Sequence, residues 1–380
     1  MKLIYLLLHD FRFASLGVEE FASNHFHFSK EYARRMAKAG HEVKLYVLTG
    51  ETPRRKTFEI DGFELKVFRT SFNFPPFMRF GNDHSLEVLR EIDRDSPDLI
   101  HFHNYYLWNF LYVAPWARRR GIPLVAQFHG TDPIRTLKAV VFSPSLRLCS
   151  RLLVPTKGEV RFLVQKLRIP SARVEMFPST GVDTKTFRPT SVKHDSPLLL
   201  YAGRIPRRAS YRWEKAPYLL LPMMKSLIAR VPNARLLIAG DGPGLAALVA
   251  DARQLGLLQN VSFLGPVAHE RLAELFSQSW MTFVPIYMDD IEPYWGGTVQ
   301  ESLACGTPVA ALNRQSRGFR RFGLLLPTDA REAAELVQEA LADRTRLAQF
   351  GTEGLEFVRR NCEWEVVASR INGLYRSLCG

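Results

Sequence analysis

Short apolar runs separated by stretches of helical patterning repeat along nearly the whole chain, and this alternation constrains the fold more than any other feature. Residues 2–8 form the first run, helical patterning over 25–39 stops at Gly40, and AGHEVKLYVLT (39–49) brings the second. PDLIHFH (97–103), GIPLVAQFHG (121–130), RLLVPT (151–156) and ARVEMFPS (172–179) continue the series. Runs of this length, bounded by Gly and Pro, read as strands. Strands alternating with helices imply a mostly parallel sheet covered on both faces. Between Phe187 and Pro197 the pattern lapses into the polar FRPTSVKHDSP, which reads as a linker. It then restarts with PLLLYAGR (197–204), ARLLIAG (234–240), VSFLG (261–265), WMTFVPI (280–286) and TPVAAL (307–312). The expectation is an α/β protein of two tandem, doubly wound, Rossmann-like domains, residues 1–190 and 191–362, followed by a terminal helix over 363–378.

A length of 380 residues agrees with two domains at ~150 residues each. With 46% hydrophobic and 23% charged residues, neither a disordered chain nor a polytopic membrane protein fits. No run approaches the ~18 to 20 apolar residues that a spanning helix needs. The opening MKLIYLLLHDFRF resembles a signal-peptide core, but Asp10 and Arg12 end it and no small-residue cleavage site follows, so a buried first strand explains it better. Cys149, Cys305, Cys362 and Cys379 show neither disulfide-framework nor zinc spacing, which points to a reducing cytoplasm.

The chain carries 51 Lys+Arg against 38 Asp+Glu, net +13, and so is expected to meet something anionic: nucleic acid, a phosphorylated small molecule or a membrane surface. Residues 1–190 hold 29 Lys+Arg and 19 Asp+Glu, or +10, leaving 22 against 19, or +3, for the remainder. Several first-half cations adjoin aromatics. Lys30, Arg34 and Lys38 share a helical face, Arg118, Arg119 and Arg120 follow Trp116, and FNFPPFMRF (72–80) is an aromatic loop with a basic tip. These are either solvated helix faces and a core-facing loop or a surface for anionic lipid headgroups.

Ligands of open α/β sheets bind beyond the carboxyl ends of the strands. There, in the second half, AGRIPRRASYRWEKAP places Arg204 just past a strand and Lys215 at the next helical stretch; a guanidinium and an ammonium together can hold a diphosphate. AGDGPG (239–244) follows the next strand, and its glycines permit close backbone approach or simply make a strand-to-helix turn. In IEPYWGGTVQESLACGTPVAAL (291–312), Gly296 and Gly297 open a helix whose free N–H groups suit anions and hydroxyls. Glu301 follows within that helix and Glu292 lies nine residues before it; carboxylates of this kind accept hydrogen bonds from vicinal hydroxyls.

Taken together, Arg204, Lys215, GDGP at 240–243 and Glu301 in ESLACGTPV resemble the donor-binding half of retaining GT-B glycosyltransferases of family 4. AGHEV (39–43), DLIHFH (98–103), QFHGTD (127–132) and STGVDTKTFRP (179–189) are similar to segments of the family's first domain. The resemblance implies the GT-B fold, with the terminal helix crossing back to the first domain. It also implies a UDP- or GDP-sugar bound by the second domain, an acceptor on the first, reaction in the cleft, and a metal-independent front-face mechanism without cofactor. Arg204 and Lys215 would neutralise the diphosphate, Glu301 would hold ribose hydroxyls, and Gly203, Gly240, Gly296, Gly297 and Thr298 would line the donor site. His129 would meet the donor sugar near the reacting centre, a reading that its HGTD context favours over a buried structural histidine. His101 and His103 read as one packed and one near the cleft.

The chain departs from the family pattern in three places. Aligned on Glu301, the motif's first Glu falls on Pro293, so Glu292 fills the role through a one-residue insertion, or the donor contact is remodelled, or activity is lost. The first loop, HDFRFASLGVEE, offers Gly17 where the family has a glycine pair. NRQSRGFRRFGLLLP (313–327) lacks the family's Gly-Gly-x-x-E. Asp289 and Asp290 would be the atoms for a metal, which the resemblance argues against. A glycan or lipid-linked acceptor at an anionic membrane face is the expected partner. A catalytically silent GT-B protein that binds nucleotide sugars or scaffolds a complex is the rival. A nucleic-acid binder lacks its helix-turn-helix, zinc-finger or RNA-binding signature, and a nicotinamide enzyme would need G-x-G-x-x-G after the first strand.

Overall fold

The computed structural model describes the chain except for residues 11–16, 24–26, 52–54, 77–80, 130–134, 191, 208–214, 286–293, 295 and 313–316, and except for the side chains of 135–137 and 317–318. The described chain divides into two compact units. One comprises Met1–Pro155, Glu159–Ser179 and Val367–Gly380; the other comprises Thr156–Gly158 and Thr180–Val366. The division falls before the polar linker because Val182 and Phe187 are buried in the core of the second unit.

The first unit is an eight-stranded sheet plus a two-stranded pair. In chain order its strands are β1 (Lys2–Asp10), β2 (Glu42–Thr49), β3 (Lys56–Ile60), β4 (Phe63–Arg69), β5 (Phe72–Asn73), β6 (Asp83–His84), β7 (Leu99–His103), β8 (Leu124–Gln127), β9 (Arg151–Val154) and β10 (Val174–Met176). The large sheet has the order β10-β9-β8-β7-β1-β2-β4-β3 and is parallel except for the antiparallel β3·β4 edge. β5 and β6 pair antiparallel by themselves. β1 is buried over Leu3–Asp10. Its Ile4, Leu6 and Leu8 enter one core with Phe102, Phe110 and Phe142, while the alternate Leu3, Tyr5 and Leu7 are buried on the other face.

The second unit is a six-stranded, wholly parallel sheet of β11 (Leu198–Ala202), β12 (Arg235–Ala239), β13 (Val261–Gly265), β14 (Met281–Val284), β15 (Val309–Ala311) and β16 (Gly323–Leu325), in the order β13-β12-β11-β14-β15-β16. Alternate residues of β11 feed two cores. Leu199 and Tyr201 pack with Met223, Leu236 and Val337, whereas Leu200 and Ala202 pack with Phe276, Val299 and Leu303. Helices therefore cover both faces, as the continuous apolar strands require. In each unit the order reverses beside a central strand, β1 or β11, which places the crevice for a ligand at that strand's carboxyl end.

Among the described residues no helix is long and apolar enough to cross a membrane. The basic stripe expected of residues 30, 34 and 38 is not a surface. Lys30 is buried and donates to the carbonyls of Phe21 (2.8 Å) and Ala22 (3.4 Å), and Arg34 pairs with Glu31 and Asp61. Only the exposed Lys38 of the three remains solvated, because the helix Phe28–Lys38 turns the first two toward its own unit.

Candidate active site

In the second unit the site is built at the carboxyl end of β11. There the chain turns through Gly203 at φ +146°, and Gly240, at φ +135°, lies directly against it. A Cβ on Gly240 would stand 2.0 Å from the Gly203 carbonyl oxygen, and those on Gly242 and Gly244 would stand 2.4 and 2.1 Å from the oxygens of Ile205 and Pro206. The GDGPG segment is thus laid backbone on backbone along residues 203–206. Hydrogen bonds from Gly203 N to Ala239 O (2.9 Å) and from Ile205 N to Asp241 O (2.8 Å) tie the two loops together. The strand-to-helix turn weighed for these glycines describes Gly242 and Gly244, whereas Gly240 seats Gly203.

Gly203 in turn makes room for Lys215. A Cβ there would lie 2.2 Å from the lysine Nζ. The ammonium donates to Ala202 O (3.0 Å) and to Thr298 Oγ1 (3.1 Å) and lies 6.0 Å from the centre of the Tyr201 ring. Burial pushes its pKa down to about 8, against the opposing pull of Glu301, and Arg204 adds to the lowering. Arg204 is exposed just past the strand, and its carbonyl accepts from Tyr201 Oη (2.6 Å).

The helix Gly297–Ala304 brings the carboxylate. Gly296, at φ +81°, precedes it and sets the turn. Glu301 is only 7% exposed, and burial raises its pKa to about 7, with Lys215 opposing that rise. No described group hydrogen-bonds its carboxylate; Oε1 lies 3.2 Å from where a Cβ on Gly297 would stand. A desolvated carboxylate near neutrality, a half-buried ammonium and a glycine-opened helix start are suited to a polyhydroxylated diphosphate ligand. Glu292, with Pro293, Asp289 and Asp290, lies outside the described residues. Among the described residues no group of three or more His, Cys, Asp or Glu is placed to hold a metal ion.

In the first unit the carboxyl ends of β1, β7 and β8 carry a buried histidine and tyrosine cluster. His129 Nδ1 faces the Ser179 carbonyl (2.6 Å) and must donate to it, so the neutral ring offers Nε2 as an acceptor, and His103 Nδ1 (2.8 Å) donates there. Burial holds His129 down to about 3. Both of its nitrogens are engaged within its own unit, and Phe28 stacks on it at 4.2 Å. His101 and His103 are both buried. Their side chains both reach the Tyr5 ring, at 5.3 Å each, because Tyr5 on β1 pairs with His101 and His103 lies two residues on, on the same face of β7. His101 hydrogen-bonds Tyr375 of the terminal helix. The His103 contact to His129 carried no signal beyond their lying at the ends of neighbouring strands.

Gly17 opens the short helix Val18–Ser23, with its carbonyl accepting from Phe21 N (2.8 Å). The carboxylate of Glu51 already takes the Val18 N–H (3.2 Å). Farther along, Asp83 Oδ2 accepts from Asp10 N (3.1 Å), and Asn109 Nδ2 donates to Asp83 O (2.9 Å). These bonds root the β5·β6 pair at the carboxyl end of β1. The pair carries Phe72 and Phe74, 47% and 56% exposed.

Known proteins share the sequence pattern and the fold. The model of Glycosyltransferase Family 4 matches residues 28–186, and that of Glycosyl transferases group 1 matches residues 182–357. D-inositol 3-phosphate glycosyltransferase 2 of Catenulispora acidiphila is 30% identical over 73% of this chain and 70% of its own. D-inositol 3-phosphate glycosyltransferase of Rhodococcus opacus is 29% identical over 76% and 70%. Among solved structures, sucrose-phosphate synthase of Thermosynechococcus elongatus superposes with TM-score 0.73 at 21% identity, covering 100% of this chain and 99% of that one. Anabaena Alr3699/HepE in complex with UDP and glucose gives 0.69 at 15%, covering 99% and 100%. With both halves matched in order and the two parallel sheets in place, the chain belongs to the Glycosyl transferases group 1 family and is a glycosyltransferase of the GT-B fold.

Proposed function

We propose that the protein transfers a sugar, with retention of configuration, from a UDP- or GDP-sugar held by the second unit to a hydroxyl of a lipid-linked or cell-envelope glycan. The observation that carries the donor half is the seated ammonium of Lys215 beside the desolvated carboxylate of Glu301. Lys215 and Arg204 take the diphosphate, and Glu301 takes ribose hydroxyls. The bond from the anomeric carbon to the diphosphate oxygen breaks, the acceptor oxygen bonds that carbon on the same face, and the acceptor proton passes to the departing diphosphate. Negative charge grows on the leaving group, so fixed cations lower the barrier without a metal ion or other cofactor. His129 serves by holding its loop, since its ring nitrogens are already engaged. A UDP complex of a structural neighbour, Alr3699/HepE, supports a uridine nucleotide.

Thermal unfolding with a panel of UDP- and GDP-sugars tests the donor. A ligand selective for the native state raises the midpoint by mass action. One nucleotide sugar is expected to do so and to release nucleotide on adding acceptor; binding without release would favour the silent, scaffolding reading. If none binds, both fail.

The acceptor half rests on Phe72 and Phe74. A rooted hairpin exposing two rings without polar handles, in the half of the chain with the larger positive excess, suits the boundary of an anionic bilayer and a peripheral location there. The full chain is expected to sediment with phosphatidylcholine vesicles containing phosphatidylglycerol and not with phosphatidylcholine alone. The F72S/F74S double variant is expected to lose this while keeping its unfolding midpoint. Equal sedimentation of wild type with both vesicles overturns the membrane reading.

A further inference from the structure

Lys215 has three N–H donors. Two are used within the described protein, one on the Ala202 carbonyl (3.0 Å) and one on Thr298 Oγ1 (3.1 Å). Thr298 Oγ1 also lies 3.4 Å from the same Ala202 carbonyl, so lysine, hydroxyl and carbonyl form a closed triangle. Thr298 stands in the first turn of the helix Gly297–Ala304, ahead of Glu301, and Gly203 leaves the passage through which the lysine reaches it. Two acceptors fixed by the backbone of β11 and by a helix determine where the third N–H points. An unaimed ammonium on a four-carbon stem is otherwise a mobile point charge.

We propose that the Thr298 hydroxyl is a positioning residue for Lys215, taking one N–H so that the remaining one is aimed at the diphosphate of the nucleotide. This rests on the reading that Lys215 meets that diphosphate. It assigns Thr298 a side-chain role distinct from any contact its backbone N–H makes with the ligand. A hydroxyl that accepts from the ammonium also favours its protonated form. The other groups facing the ammonium are Glu301 from the same helix and Arg204 beyond β11, with the Tyr201 ring alongside. Removing the hydroxyl therefore moves the lysine's titration further down from its already lowered position.

The test titrates UDP, with GDP in parallel, into the full-length protein by calorimetry across the alkaline range. Wild type is expected to lose affinity as Lys215 deprotonates. T298V is expected to bind UDP ~10-fold more weakly, with the alkaline midpoint lower by about half to one pH unit. T298S, which restores the hydroxyl, is expected to recover both. T298A repeats the measurement should valine disturb the helix start, and thermal unfolding reports whether each variant is folded. Unchanged affinity and midpoint in folded T298V and T298A overturn the proposal, as does failure of T298S to recover them. K215Q separates the two ideas. It is expected to bind weakly with no alkaline limb, and if it binds like wild type the assignment of Lys215 to the diphosphate falls, and the Thr298 role falls with it.

Discussion

The carboxyl edges of the two sheets are chemically opposite. At β11 the second unit holds a cation and a carboxylate whose pKa values are displaced toward each other, to about 8 and about 7. At β1, β7 and β8 the first unit holds histidines that burial keeps neutral, with His129 at about 3, His27 at about 3 and His9 at about 4. Yet the first half of the chain carries the larger positive excess. Ion pairs cannot cancel a net excess, but they do tie up several of the cations. Lys66 bridges Glu91 and Asp95 (2.8 Å each), Lys44 reaches Asp95 (2.7 Å), Arg55 pairs with Glu91 (2.7 Å) and Arg120 with Asp93 (2.8 Å). Net charge therefore does not locate chemistry: one well-seated lysine in the less basic half is better placed to act on an anion than several paired cations in the other.

The contrast is sharpest in a pair of substitutions. K215Q is expected to lower turnover about 100- to 1,000-fold, as loss of a fixed charge partner for a developing oxyanion does, while shifting stability by less than about 1 kcal/mol. H129L is expected to behave the other way, costing about 2–4 kcal/mol of stability by orphaning the Ser179 carbonyl and the His103 N–H. Its activity, assayed where it is folded, should show no lost titration between about pH 5 and 8, because the ring stays neutral there. A fully stable H129L with collapsed turnover would break the comparison and return His129 to the chemistry.

A smaller effect concerns the carboxylate. Because the folded-state pKa of Glu301 lies above its ordinary 4.5, the ligand-free protein is favoured below that value and loses stability as pH rises through about 7. E301Q removes this loss. It should be more stable than wild type by about 1–3 kcal/mol near pH 8, with the difference fading by about pH 5. Urea unfolding at the two pH values checks it, and an E301Q no more stable than wild type at the higher one would mean that the carboxylate is not desolvated.

Much of the architecture was legible from apolar runs alone, since β2 and β7 to β15 each sit within a run of the expected series and β1 outlasts its run by two residues. β3 and β4 were not, because KTFEI alternates half-buried with exposed residues and the mostly buried FELKVFR is broken by Glu64 and Lys66, so neither shows a continuous apolar run. β16, only three residues long, escaped for want of length. Within the candidate site, Lys215 and Glu301 stand out in the sequence by type and spacing. That Gly203 and Gly240 serve one another does not, because a close approach between two loops leaves no trace in either loop's own pattern. The basic stripe at 30, 34 and 38 shows the same limit from the other side. Helical spacing says which residues share a face, but what that face meets is decided by tertiary packing, and here it is the carbonyls of Phe21 and Ala22.

The room that Gly203 leaves to Lys215 has a use of its own. Presence and placement of a charge are ordinarily removed together when a lysine is mutated. Here a single methyl group, added 2.2 Å from the ammonium on a backbone at φ +146°, would evict Lys215 from its seat and leave every ionisable group of the protein in the chain. Position 203 is therefore a lever on geometry alone, able to separate what this enzyme owes to having a cation from what it owes to holding it still.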